Sequence, residues 1–165
     1  MYGLWRWTLT LAACGVLIAA CGRSDALTLM VEDGEGAEGE VISVELALLN
    51  VTSAIAGFGL TVSVQDSRVA RIVSVQFPDY SDPESGFELT SVKTDPVSGS
   101  VSIGAVDLKG TLQASISRHV LATLNLELLR AGETRVFVAD VAGLDDLAGN
   151  ALAPDRVSGV LSIQR

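Results

Sequence analysis

Three glycines, Gly34, Gly36 and Gly39, fall on the spacing G-x-G-x-x-G within "DGEGAEGE". That spacing can cradle a dinucleotide pyrophosphate when a strand leads in and a helix opens behind it, aiming backbone amides at the phosphate. Here the pattern leads into the alternating residues of a strand, and Glu35, Glu38 and Glu40 would repel a phosphate. The glycines are expected to serve a turn. His119, the sole histidine, precedes the apolar run "VLATLNLEL". No cysteine after residue 21 and no G-x-S-x-G serine accompanies it, so it has no nucleophile to activate. It is expected at a strand edge or turn. Catalytic zinc takes three protein ligands, usually including histidine, so neither a metal site nor a cofactor is expected.

Carboxylates are more plentiful. Asp79, Asp82 and Glu84 form one group, and Asp140, Asp145 and Asp146 another. A pair held about 5 Å or about 6.5–9.5 Å apart could hydrolyse a glycosidic bond. Acidic turns explain both groups without chemistry, and the chain is read as non-catalytic. "DVAGLDDLAGN" also offers oxygens of Asp140, Asp145, Asp146 and Asn150 to calcium. It lacks the D-x-[DN]-x-[DN]-G spacing and the closing Glu of an EF-hand, so any such site would be irregular.

The frame that must position these groups is a chain of 165 residues, 48% of them hydrophobic. That length suits one domain, which would bury roughly 70% of its unfolded surface. Twenty acidic residues against eleven Lys and Arg give a net charge of −9. Such a surface repels a phosphate backbone, which excludes nucleic acid as a partner.

The first residues, "MYGLWRWTLTLAACGVLIAACGRSD", carry one charge, Arg6, before an apolar stretch from Trp7 to Ala20. A charged start, an apolar core and small residues before a cut describe a signal peptide. A spanning helix needs roughly 20 apolar residues, and the polar "GRSD" cuts this run short. The ending "IAAC" (residues 18–21) resembles the lipobox of bacterial lipoproteins. That resemblance implies cleavage after residue 20 and acylation of Cys21, with residues 21–26 as a lipidated linker. A second box ends at Cys14 but leaves an apolar core of only about seven residues, at the lower limit. The expected localisation is therefore the cell envelope, at the outer face of a lipid bilayer held through acylated Cys21. The mature domain contains no disulfide on this reading.

After the signal, short alternating runs are separated by turns. In "VISVELALLN", Ile42, Val44, Leu46 and Leu48 share one face; in "GFGLTVSVQD", Phe58, Leu60, Val62 and Val64 do. Period two marks half-buried strands. Seven further segments read the same way: "ALTLMVE", "VARIVSVQF", "FELTSVKT", "SVSIGAVD", "VLATLNLELL", "TRVFVA" and "RVSGVLSIQ". Turn residues fill the breaks, as in "PDYSDPESG", "TDPVSGS" and "RAGET". About nine strands and no convincing helix predict an all-β sandwich over residues 27–164.

The order of these pieces resembles the cohesin domain. "EGEVISVELALLN", "AIAGFGLTVSVQD" and "SRVARIVSVQFPD" match the glycine turn, the "I-A-G" strand and the Val/Ile-rich strand of a cohesin's first half. "VSIGAVDLKG", "VLATLNLEL", "DVAGLDDLAGNAL" and "VSGVLSI" follow the second half. The resemblance implies a nine-stranded jelly roll, a fold shared with carbohydrate-binding modules. It also implies a dockerin-type protein partner lying across one sheet face. The positions it assigns to that contact are Gly57, Gly59, Thr94, Ile103 and Val106. The family's Asn and Asp on the first of these strands are both Gly here, and Val106 replaces a carboxylate, so a flatter, more apolar contact is implied. The expected function is non-catalytic protein binding at the cell surface. The alternatives are polysaccharide binding, with Phe77 and Tyr80 as the only aromatic pair beside a turn, and a structural envelope role.

Overall fold

A computed structural model describes residues 26–78, 87, 89–95, 99–107, 110, 112–114 and 118–165. The expected signal peptide and Cys21 lie outside the described residues, as do Asp79, Tyr80, Asp82 and Glu84. Eleven strands are described: β1 (Thr28–Val31), β2 (Gly34–Ala37), β3 (Val41–Leu49), β4 (Ile55–Val64), β5 (Ala70–Gln76), β6 (Leu89–Asp95), β7 (Ser100–Val106), β8 (Arg118–Leu128), β9 (Gly132–Asp146), β10 (Asp155–Val157) and β11 (Gly159–Gln164). They form a five-stranded sheet, β10-β1-β3-β8-β5, and a six-stranded sheet, β2-β11-β9-β4-β7-β6. The protein is an all-β jelly-roll sandwich.

Alternation builds the core between the sheets. Phe58, Leu60, Val62 and Val64 of β4 point inward and are buried, as are Val44, Leu46 and Leu48 of β3. Leu124, Leu126 and Leu128 of β8 face them and are wholly buried. Each such leucine contributes about 1.5–3 kcal/mol relative to an exposed one, so no disulfide is needed to hold the layers together.

All nine expected segments contain a strand, and two additions account for the rest. The last segment divides: β10 pairs parallel with β1 in one sheet, and β11 pairs parallel with β2 in the other. Both strand pairs thus cross between sheets side by side. The crossing is tight at Gly159, where a Cβ would collide with the Glu32 backbone. Beside it the Val160 N–H donates to Asp33 Oδ1 at 2.7 Å.

The second addition is β2 itself, which contains two of the three glycines expected in a turn. A Cβ at Gly34 would lie 2.8 Å from Ile42 Cδ1, and one at Gly36 would lie 2.8 Å from Leu128 Cδ1. These two let an edge strand settle directly onto the core. Only Gly39 serves a turn, with a φ of 90°.

Two buried polar residues hold loops. His119 occupies the second position of β8 and is buried, with Nε2 2.8 Å from the Gln113 carbonyl. Asp107 is 0% exposed. Its Oδ2 accepts the Leu112 N–H at 2.7 Å, which seats the Leu112 side chain in the core. Among the described residues no helix is long and apolar enough to cross a membrane.

Candidate functional site

The outer face of the six-stranded sheet is built from the residues that alternate with the core. Ladder register sets them in straight rows across β9, β4, β7 and β6. The first row is Asp145, Gly57, Val106 and Leu89. Next come Gly143, Gly59, Gly104 and Ser91. The third row is Asp140, Thr61, Ser102 and Lys93, and the fourth is Phe137, Ser63, Ser100 and Asp95. Adjacent strands lie about 4.8 Å apart, so each row spans roughly 14 Å.

Three glycines side by side leave the second row as bare backbone. Gly59 and Gly143 of this row, together with Gly57, floor a shallow depression of about 350 Å³, bordered by Val106 and Asp145. On its apolar rim, Leu89 stands opposite Val106 and is 69% exposed. The other rim is acidic. Among the described residues neither Asp140 nor Asp145 forms an ion pair, and neither does Lys93. In the third row the Thr61 and Ser102 hydroxyls lie 3.1 Å apart in a hydrogen bond.

Neither conformation nor crowding demands glycine at Gly59 or Gly143. None of the four glycines has a left-handed φ. A Cβ at Gly59 would meet nothing nearer than 3.7 Å, and the same holds at Gly143. Gly57 and Gly104 differ: a Cβ at Gly57 would sit 2.7 Å from the Ala105 carbonyl oxygen, and one at Gly104 would sit 3.0 Å from Ser91 Oγ and 3.3 Å from the Phe58 carbonyl oxygen. Glycine inside a strand costs about 0.5–1 kcal/mol relative to alanine. Such a glycine often marks a bulge or a place where another backbone or a ligand comes close, and the β4–β9 register does shift between Gly59 and Leu60.

The residues assigned by resemblance divide between the two faces of the sheet. Gly57, Gly59 and Val106 meet at the depression. Ile103 does not join them, because it is 3% exposed and packs into the core beside Leu60. Thr94 pairs with Val101 and so faces the opposite sheet, where it lines a separate cleft with Ile72 and Val73. Gly143 joins Gly57, Gly59 and Val106 in the lining of the depression, and Gly104 lies beside Gly59 by register.

The other candidates resolve into structural roles. Asp146 points inward. Its Oδ1 accepts the Ala148 and Asn150 N–H groups and its Oδ2 accepts the Asn150 side-chain amide, all within 2.9 Å. These bonds, led by the Asn150 side chain and then its backbone, hold the Asp146 carboxyl below the ordinary carboxylate range. The segment whose oxygens could be offered to calcium is therefore largely strand β9 closed by a turn that Asp146 caps. Among the described residues no three His, Cys, Asp or Glu side chains gather where they could hold a metal ion. Asp140 and Asp145 share the outer face two rows apart. Their backbone positions are about 14 Å from each other by strand spacing, too far for a pair working across one glycosidic bond.

Among the described aromatic residues, Phe58, Phe77 and Phe87 pack on the core. Phe87 packs edge-on against Phe58, with centroids 5.6 Å apart, and against Phe77 at 6.0 Å. Phe77 is thus committed to a cluster on the core and offers no flat platform to a sugar ring.

Solved structures similar to this chain include cohesins. A chain of a type I cohesin–dockerin complex from Clostridium thermocellum superposes with a TM-score of 0.70, covering 84% of this chain and 99% of that one at 16% identity. The fold is a cohesin-like jelly roll. A non-cellulosomal cohesin from the archaeon Archaeoglobus fulgidus gives a TM-score of 0.69 at 13% identity, with 85% of this chain and 92% of that one covered. The seventh ScaB type I cohesin from Pseudobacteroides cellulosolvens gives 0.66 at 14% identity, covering 84% and 92%. No protein-family model matches the sequence, and neither does any curated protein.

Proposed function

We propose that this chain is a non-catalytic, membrane-anchored protein-binding module that receives a dockerin-type partner on the outer face of its six-stranded sheet. The observation that carries this reading is the glycine row, which nothing forces at Gly59 or Gly143. It runs through Gly59, beside Gly57 and Val106, where resemblance to cohesins assigns the partner contact. Bare backbone between an apolar rim and an acidic rim suits a protein surface that lies flat and close. It does not suit recognition by the polar side chains that cohesins usually present from this strand. Anchoring rests on "IAAC", with Cys21 acylated and the domain held at the outer face of the cell envelope. Two or more acyl chains hold a protein stably in a bilayer, where one does so marginally.

Capture tests the binding reading. Residues 24–165 are immobilised and exposed to the secreted and envelope proteins of the source organism, first with calcium and then with a chelator. Dockerins need calcium to fold, so a protein retained with calcium and released on chelation supports the proposal and identifies the partner. No specific capture in either condition overturns it, and a glycan panel then decides whether polysaccharide binding takes its place.

A further inference from the structure

The chain leads into the sandwich at the end of the sheet that carries the first row of the depression. Thr28 opens β1 opposite Leu49 and Asp155. The Ala26 carbonyl accepts the Asn50 side-chain amide at 3.2 Å, and the Asp155 N–H donates to the Leu27 carbonyl at 2.9 Å. From Leu49 the chain turns directly into β4, whose first residue, Ile55, lies two positions before Gly57. The far end of the sandwich holds the turn after Val64 and the close of β11, where Gln164 pairs with Ala37. The contact face therefore has a direction. Its Gly57 row lies near the start of the described chain, and its Ser63 row lies about 20 Å further along β4 at roughly 3.4 Å per residue.

Seven Cα steps separate Cys21 from Thr28, and a fully extended chain gains at most about 3.6 Å per step, or about 25 Å in all. A strand as long as the ten-residue β4 measures about 34 Å. The tether is thus shorter than the body it holds. With residues 1–20 removed, Arg6 is lost and the net charge of −9 becomes −10; such a body is repelled by anionic headgroups, which opposes lying flat. We infer that acylated Cys21 holds the Asp145–Gly57–Val106–Leu89 row toward the bilayer, so that a partner in the depression is captured beside the membrane surface. This rests on the anchoring part of the proposed function and not on the identity of the partner.

Energy transfer on vesicles tests it. The lipidated, processed chain is reconstituted into phosphatidylcholine–phosphatidylglycerol vesicles that carry a headgroup-linked acceptor. A donor dye is attached at Thr52→Cys, near the tether, or at Ser67→Cys, at the far end. With Cys21 acylated and residues 1–20 removed, the new thiol is the only one. Transfer from position 52 should exceed that from position 67 by about twofold or more, because roughly 34 Å of strand lies between them. A Gly/Ser spacer of about 20 residues after Asp25 adds roughly 25 Å of mean reach and should bring the ratio close to one. Equal transfer at the native tether length overturns the orientation. A chain that stays off the vesicles with Cys21 unmodified overturns the anchor and the orientation together. It leaves partner capture by residues 24–165 standing, since that fragment carries no anchor.

Discussion

Gly57 and Gly59 lie two residues apart on one face of β4, and an added methyl group should move stability in opposite directions at the two positions. At Gly59 the new Cβ meets Ala142 Cβ at 3.7 Å, an ordinary contact, and the backbone conformation suits any residue. Gly59→Ala then removes conformational freedom from the unfolded chain alone, a gain of about 0.4–1 kcal/mol. At Gly57 the same atom would lie 2.7 Å from the Ala105 carbonyl oxygen. That oxygen belongs to the neighbouring strand and cannot step aside without disturbing the β4–β7 ladder. Overpacking of this kind costs about 1–3 kcal/mol, so the two variants should straddle the unsubstituted protein. With a urea slope of about 1–3 kcal/mol per molar, their midpoints should differ by roughly 1 M.

Far-UV circular dichroism on residues 24–165 is the suitable probe, because both tryptophans, Trp5 and Trp7, precede that fragment. If Gly59→Ala lowers the midpoint, the glycine is required by the fold and the bare row has no bearing on binding. If it raises the midpoint, Gly59→Gln becomes the functional test. A long side chain rising from the centre of the floor should weaken partner binding about 10- to 100-fold, equivalent to about 1.4–2.8 kcal/mol. A stable Gly59→Gln variant that captures its partner undiminished would refute the assignment of this face.

Gly159→Ala should be the most damaging of the glycine changes. Its Cβ would press on the Glu32 and Val31 backbone where both strand pairs change sheet, a cost of about 3 kcal/mol or more visible in the same urea titration. Asp107→Ala should cost about 1–3 kcal/mol by leaving the buried Leu112 N–H without this acceptor; Asp107→Asn, which keeps an oxygen there, should recover most of the loss. The Asp146 carboxyl is held below its ordinary value of 3.8. Its stabilising contribution is therefore present above that value and fades as pH falls through the lowered one. An NMR titration should find its midpoint below 3.8 and find it raised in Asn150→Ala; a midpoint at or above the ordinary value would refute the turn-capping role.

Much of this fold can be read from side-chain period alone, and the failures have physical causes. In β4 the inward set Phe58, Leu60, Val62 and Val64 alternates without interruption, so both the strand and its faces are plain. The Gly-x-Gly of β2 has no side chains with which to alternate, and it reads as a turn. The parity in "SVSIGAVD" already separates Ile103 from Val106. Residues an odd number apart in an unbulged strand face opposite ways, so the two cannot share a contact surface. Carrying both over by resemblance set that parity aside, and the same reasoning applies to Thr94 opposite Val101.

The segment "DVAGLDD", which falls in none of the nine expected strand segments, shows why the site itself is hidden in the sequence. Strand β9 contains two extra residues relative to β4, Ala139 and Ala142. Each bulge shifts the phase, so the outward positions run Phe137, Asp140, Gly143 and Asp145. That is a spacing of three, three and two, which matches neither a strand nor a helix. A one-residue change of register turns a strand's other face outward. Without the bulge at Ala142, Gly143 and Asp140 could not both face outward on the same sheet. The bare row at Gly59 and the acidic rim beside it therefore depend on a residue that contributes no chemistry of its own. Ala142 also leaves room beside Gly59, with its Cβ 3.7 Å from where a Gly59 side chain would begin. The sequence states the composition of the face, but only the register of three separated strands assembles it.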